Sequence, residues 1–376
     1  MPKNTLFLPF KLRNLELDNR IVVSPMGQYS ADEQGHATSW HLMHLGHLAV
    51  SGAALVYTEA TAVEPRGRVS HKCLGIWDDS HIEPLRPVVE FCREHGRAKL
   101  GMQLAHSGRK GSVAVPWENQ IGMKDGDGGW TMASPSNIAY PGRPVPTAMD
   151  RAALKDMRQA FGSGAQRAHK AGFDTLEIHN AHGYLLHSFL TPFANARTDE
   201  YGGSLENRMR FPLEVFQSVR DAWPADKPLG VRLSATDWAP GGWTIEDTVE
   251  LSKKLKAAGC DYICASSGGS TPTQVIPVGP GYQVALAEQV RREVGIPTIA
   301  VGLITQARQA EQILADGHAD LVALGRAMLY NPRWPWHAAA ELGEEAYFPP
   351  QYERSHPSML KGDFLKPKRQ KASAES

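Results

Sequence analysis

A chain of 376 residues accommodates either two average domains or one large α/β barrel. Its 40 basic and 40 acidic residues balance, so bulk charge recommends neither nucleic acid nor an anionic membrane as a partner. The opening MPKNTLFLPFKLRN lacks the features of a signal peptide, no apolar run approaches the ~18 residues of a membrane span, and Cys73, Cys92, Cys260 and Cys264 have no CxxC or zinc spacing, so the reduced cytosol is the expected compartment.

Short apolar runs alternate with amphipathic stretches, the pattern of repeated βα units. In chain order the predicted strands are RIVVSPM (20–26), AALVYTEA (53–60), AKLGMQLAH (98–106) and DTLEIHNAH (174–182), then PLGVRLSA (228–235), DYICASS (261–267), PTIAVGLI (297–304) and DLVALGRAM (320–328). Helices are predicted between them, among others over 81–96, 151–172 and 245–259. The joints KAGFD (170–174), KAAGCD (256–261) and ADGHAD (315–320) each carry a glycine suited to the left-handed cap of a helix end. Eight such units predict an α/β fold, a single (β/α)8 TIM barrel over residues 1–348. A doubly wound sheet would carry GxGxxG after its first strand, and the chain has none there. Residues 107–149, rich in Gly and Pro, follow the third strand and are read as a lid insertion. Residues 349–376 are read as a C-terminal extension, disordered at its KPKRQKASAES extremity.

In such a barrel the chemistry sits at the C-terminal rim of the strands, and side chains two apart share a face. Met102, Leu104, Leu176, Ile178, Val231 and Leu233 then pack outward, and Gln103, Glu177, His179 and Arg232 point inward. An inward arginine demands an opposite charge, from a carboxylate or a ligand. Glu177 is read as a structural partner of Arg232. Arg232 itself, beside Gln103 and two histidines, is read as functional. Strands seven and eight end at Gly302 and at Gly325-Arg326, where glycines admit backbone N–H groups to a phosphate and the arginine supplies a charged fork. His179-x-x-His182 admits two uses. As metal ligands the pair lacks a convincing third member beyond Glu59, and no metal is expected. As neutral imidazoles both can donate to one substrate oxygen, with Tyr184 placed to deliver a proton. His41, His44 and His47 spread around a helix and read as ordinary helix residues.

The motifs SPMxxY, EATAV, QLAHxGRK, EIHxAHGYL, RTDEYGGSLENRxRF, AVGLIT and GR together resemble the old yellow enzyme family of FMN-dependent ene-reductases, in particular its xenobiotic reductase and thermophilic-like branch. The likeness runs from LFLPFKLRNLELDNRIVVSPM to QYER at 351–354. It implies FMN as cofactor and NADPH or NADH as reductant. By resemblance, Ser24, Pro25, Met26, Gly27 and Ala60 border the flavin ring, Gln103 bonds its pyrimidine edge and Arg232 sits by N1 and O2, where a cation stabilises reduced flavin. Gly302, Gly325 and Arg326 hold the phosphate. His179 and His182 bind a carbonyl or nitro oxygen, Tyr29 stands on the substrate side, and Tyr184 protonates the carbon α to the activating group. The implied reaction is ping-pong, from nicotinamide to flavin and then to the β-carbon of an activated alkene, with nitro compounds as further acceptors.

Two departures stand out. Gly27 replaces the cysteine of the branch and the threonine of yeast-like members. Residues 355–376 follow Arg354, whose counterpart in close relatives enters a neighbouring subunit's site. Arg354 as a substrate-binding residue, and a homodimer or homotetramer, are therefore implied by resemblance alone. The competing readings are a metal-dependent barrel hydrolase using His179 and His182, and a flavin-binding barrel without turnover.

Overall fold

Each helix of the repeat hands over to its strand at a glycine. Gly172 caps the helix Arg151–Ala171 with φ +100° and donates its N–H to Ala168. Gly259 and Gly317, at φ +94° and +75°, occupy the same place in the other two joints. A side chain there would crowd the backbone, so glycine ends the helix and turns the chain directly into the sheet. Helix starts are fixed as locally: the Asp150 carboxylate accepts from the Ala153 N–H at 2.8 Å, and Thr244 and Asp247 form a reciprocal capping box.

The strands so spaced close on themselves in the computed structural model, which describes residues 4–118, 122–126 and 128–356. They are β1 (Ile21–Val23), β2 (Leu55–Ala62), β3 (Lys99–Ala105), β4 (Thr175–Asn180), β5 (Leu229–Ser234), β6 (Tyr262–Ser266), β7 (Thr298–Ala300) and β8 (Leu321–Leu324). Each pairs in parallel with the next, and β8 with β1, giving the eight-stranded barrel expected from the repeat. The SPM that follows β1 has left the sheet, so the first strand is shorter than its apolar run. No helix among the described residues is long and apolar enough to cross a membrane.

Two apolar layers divide the molecule. Met102, Leu104, Leu176, Ile178, Val231 and Leu233 all lie in the outer layer between strands and helices. Burial of each such side chain contributes ~1.5–3 kcal/mol. The inner layer fills the lower barrel with Val22, Leu55, Tyr57, Tyr262, Ile299 and Leu321. Leu12 and Leu17 join it from an antiparallel hairpin, Phe10–Leu12 with Leu15–Leu17, that the sequence pattern did not predict. The hairpin plugs the N-terminal end. Above it the Tyr57 and Tyr262 hydroxyls bond each other across the barrel.

Those rings fit because glycines face them. A Cβ at Gly230 would lie 2.1 Å from the Tyr262 ring, and one at Gly101 would lie 2.2 Å from Tyr57. Gly230→Ala is expected to lower stability by ~1–3 kcal/mol through overpacking. Gly279→Ala, where a Cβ meets nothing within 4 Å, serves as the control. Urea midpoints of the two variants decide it: equal values refute the packing account.

The stretch after β3 carries 3-10 turns at Gly108–Lys110 and Pro116–Glu118 and a short parallel pair, Ala133–Ser134 with Thr147–Ala148. Part of the lid stretch (119–121 and 127) and the polar tail (357–376) lie outside the described residues.

Candidate active site

Strand register sets the rim. Ala60 pairs with Gln103 and Gln103 with Glu177, forming one row; His179, Arg232 and Cys264 form another. A bulge in β2 between Tyr57 and Ala60 breaks the alternation there. It lets Glu59 and Ala60, sequence neighbours, line the same cavity.

Past β4 the chain turns sharply. His182 adopts φ +60°, uncommon for a residue with a Cβ. Its N–H donates to Ser234 Oγ at 2.8 Å, and Lys110 Nζ donates to its carbonyl and to that of Gly269, both at 2.8 Å. Burial beside Arg109 pushes Lys110 down to about 8. The turn aims His182 back at His179, and the facing nitrogens, His182 Nδ1 and His179 Nε2, stand 3.2 Å apart. His179 Nδ1 accepts from the Ala181 N–H at 3.3 Å, so its own proton belongs on Nε2. Burial first, and the nearby Arg232 charge second, hold both imidazoles far below the ordinary histidine range. They are neutral at working pH. The Tyr184 ring lies over His179, centroids 4.7 Å apart, and burial raises its phenol, which keeps the proton.

Arg232 departs from the expected pairing. Glu177 accepts from the Gln103 amide at 2.6 Å, and no ion pair links it to Arg232. Arg232 is 8% exposed; among the described residues its side chain bonds only Ser24 Oγ, at 3.3 Å, and its Nε has no partner. Glu177 is instead kept high by burial, partly offset by Arg232 and Gln103. An unbalanced cation thus faces a cavity rather than a carboxylate. Such a group is costly in an empty barrel and well suited to an anionic occupant.

Two cavities meet at Pro25, His182 and Arg232. The smaller, about 160 Å³, brings together Gly27, Tyr29, Ala60, Gln103, His179 and Tyr184. The larger, about 360 Å³, runs along Ser24 and Met26 to Gly302, Gly325 and Arg326. At its far end Arg326 is exposed and forms no ion pair among the described residues, and a Cβ on Gly325 would meet nothing nearer than Met26 Sδ at 3.6 Å. A polar pocket with an unbalanced arginine, continuous with an open glycine-lined groove and a second arginine, fits a flat cofactor bearing a phosphate. Arg354 lines neither cavity; it lies on the exposed 3-10 turn Pro350–Ser355.

Three contributors were not singled out from sequence. His41, read as an ordinary helix residue, caps its own helix and bonds Glu59 at 3.2 Å. Glu59 in turn accepts from the Gln28 N–H at 3.0 Å, fixing the loop that carries Gly27 and Tyr29. Lys110 and Ser266 hold His182: Lys110 comes from the 3-10 turn after β3, outside any strand, and Ser266 from the inward face of β6 that it shares with Tyr262 and Cys264. Among the described residues no group of three or more His, Cys, Asp or Glu is placed to hold a metal ion.

Gly27 lies directly against Tyr29: a Cβ there would meet the phenol ring at 3.2 Å and its hydroxyl at 3.3 Å. Any side chain at 27 therefore displaces Tyr29 within the small cavity. With the FMN that the resemblance implies, Gly27→Cys is expected to shift the midpoint potential and change the rate of the second half-reaction, read by spectroelectrochemical titration and stopped flow. Identical potentials and rates in both proteins would dismiss it.

Comparison with known proteins identifies the family. The sequence pattern of the NADH:flavin oxidoreductase / NADH oxidase family matches residues 5–345. The NADPH dehydrogenase of Geobacillus thermodenitrificans is 49% identical over 351 residues, covering 93% of this chain and 98% of that protein. That of Bacillus cytotoxicus is 45% identical over 352 residues, covering 93% and 96%. Among solved structures, morphinone reductase superposes with a TM-score of 0.75 at 27% identity, over 98% of this chain and 99% of that one. A 2-naphthoyl-CoA reductase complex gives 0.81 at 25% identity, over 91% of this chain but 52% of the other, so this chain spans about half the length of that enzyme. On this match and these identities the chain belongs to the NADH:flavin oxidoreductase / NADH oxidase family, the FMN-dependent, NADPH-using oxidoreductases of the old yellow enzyme type.

Proposed function

We propose that this oxidoreductase reduces the carbon–carbon double bond of α,β-unsaturated carbonyl compounds, with nitro compounds as further acceptors. The observation that carries the reading is the facing pair of neutral imidazoles, 3.2 Å apart, in one cavity with the protonated Tyr184. Arg232 and Gln103 would hold the isoalloxazine edge of FMN, and Gly302, Gly325 and Arg326 its phosphate. FMN, when bound there, would supply the hydride chemistry that links NADPH or NADH to the β-carbon. His179 and His182 bind the activating oxygen and stabilise the negative charge that builds on it. Being neutral, they polarise the substrate without protonating that oxygen outright. Tyr184, its proton held by burial, delivers that proton to the α-carbon. Tyr29 and Gly27 bound the substrate side. Arg354, outside both cavities of its own chain, would reach the site of a second copy in a homodimer or homotetramer.

The test is NADPH oxidation by the FMN-loaded protein with 2-cyclohexenone. Stoichiometric loss of the enone supports the reading. Flavin reduction by NADPH with the enone untouched would place the protein among flavin barrels with a different acceptor.

A further inference from the structure

The histidine pair is the end of a longer hydrogen-bonded chain whose direction can be read atom by atom. The Ala181 N–H donates to His179 Nδ1, which leaves His179 protonated on Nε2, facing His182 Nδ1. On its other side His182 Nε2 lies 2.7 Å from Ser266 Oγ. Ser266 Oγ lies 3.4 Å from Gln283 Oε1, which also accepts from Ser267 Oγ at 2.6 Å. Gln283 cannot reverse its amide freely, because its Nε2 donates to the Val301 carbonyl at 3.1 Å. Ser266 and Gln283 are buried, 4% and 2% exposed. With the amide so oriented, Gln283 offers Ser266 only an acceptor.

One self-consistent proton assignment follows for the site without substrate. His179 Nε2–H donates to His182 Nδ1, His182 Nε2–H donates to Ser266, and the Ser266 O–H donates to Gln283. In this polarity His182 has no proton to give a substrate oxygen. If His182 instead carries its proton on Nδ1, two N–H groups face each other. Only an acceptor placed against both relieves that arrangement. The Ser266 hydroxyl then turns and donates to His182 Nε2.

We infer that Ser266 is a positioning residue that selects the His182 tautomer, with Gln283 holding it in the resting setting until a substrate oxygen arrives. The inference rests on the substrate-binding role proposed for the two histidines. The change moves one proton on His182 from Nε2 to Nδ1 by exchange with solvent water. Both imidazoles stay neutral, Ser266 keeps its single proton, and no net proton enters or leaves.

The experiment is two-bond ¹H–¹⁵N NMR of the oxidised, FMN-loaded full chain, labelled at histidine nitrogen, with and without 2-cyclohexenone. The expected result is an Nε2–H tautomer for His182 in the free holoenzyme and an Nδ1–H tautomer with the enone bound. Ser266→Ala should abolish that exchange and raise the enone KM about tenfold, the loss of one polarised hydrogen bond. Ser266→Thr, which keeps the hydroxyl, should restore both. Gln283→Leu removes the acceptor that competes for the Ser266 proton and should lower the enone KM, the Nδ1–H tautomer still appearing only with enone bound. One unchanging His182 tautomer in the wild type, or a wild-type KM in Ser266→Ala, overturns the inference. Failure of the underlying reading looks different: His182→Ala would then leave the enone KM unchanged whatever Ser266 does.

Discussion

Arg232→Met is expected to move two properties in opposite directions: FMN binding falls by up to about a hundredfold, while the apo-protein becomes harder to unfold in urea. The first half follows from charge. The arginine is the buried cation of the smaller cavity, and losing its charged hydrogen bond to the neutral isoalloxazine edge costs ~1.5–3 kcal/mol, up to about a hundredfold in affinity. The second half follows from its lack of a contact ion pair. No ion pair joins it to Glu177, and its Nε has no partner. Without ligand it is a desolvated charge, and exchange for an apolar chain of similar length is neutral to stabilising by ~1–4 kcal/mol. Fluorescence titration with FMN and urea unfolding of the apo-protein measure the two. A variant that loses stability and keeps its flavin affinity would show Arg232 to be structural.

Tyr184→Phe is expected to separate the two halves of the reaction. Reduction of the flavin by NADPH should proceed at the wild-type rate, whereas enone reduction should fall ~10²–10⁴-fold, the usual contribution of a positioned general acid. Burial lifts the phenol above its ordinary 10.0, so the wild-type enone step should show no inflection from this residue below that pH. Rapid mixing of pre-reduced protein with 2-cyclohexenone reads the step alone. An unchanged rate in Tyr184→Phe would remove the phenol from proton transfer.

The architecture was legible because its signals are local and repeated. Each apolar run, cap glycine and amphipathic helix reports on its own few residues, and eight of them leave one way to close. Alternation within β3, β4 and β5 likewise placed Gln103, His179 and Arg232 facing inward, since period two is a property of the strand itself. Failures came where partners are chosen across the barrel. Nothing local tells Glu177 to take the Gln103 amide in preference to Arg232; that depends on which row of the rim each occupies. The bulge that turns Glu59 into the cavity leaves no compositional trace. His41 looked idle because its carboxylate partner is 18 residues away on another element. The hairpin at 10–17 was missed for the opposite reason: its strands are three residues each, too short for a pattern.

The hairpin plug and the tyrosine pair above it make the barrel a cup rather than a tube. Whatever reaches Arg232 and the histidines enters over the rim and must leave by the same way. If donor and acceptor both use the small cavity, as the proposed function has it, they cannot queue from opposite ends and must take turns at a single doorway. An excess of either should slow the other, and that mutual interference is dictated by the floor of the barrel, well below any residue that touches them.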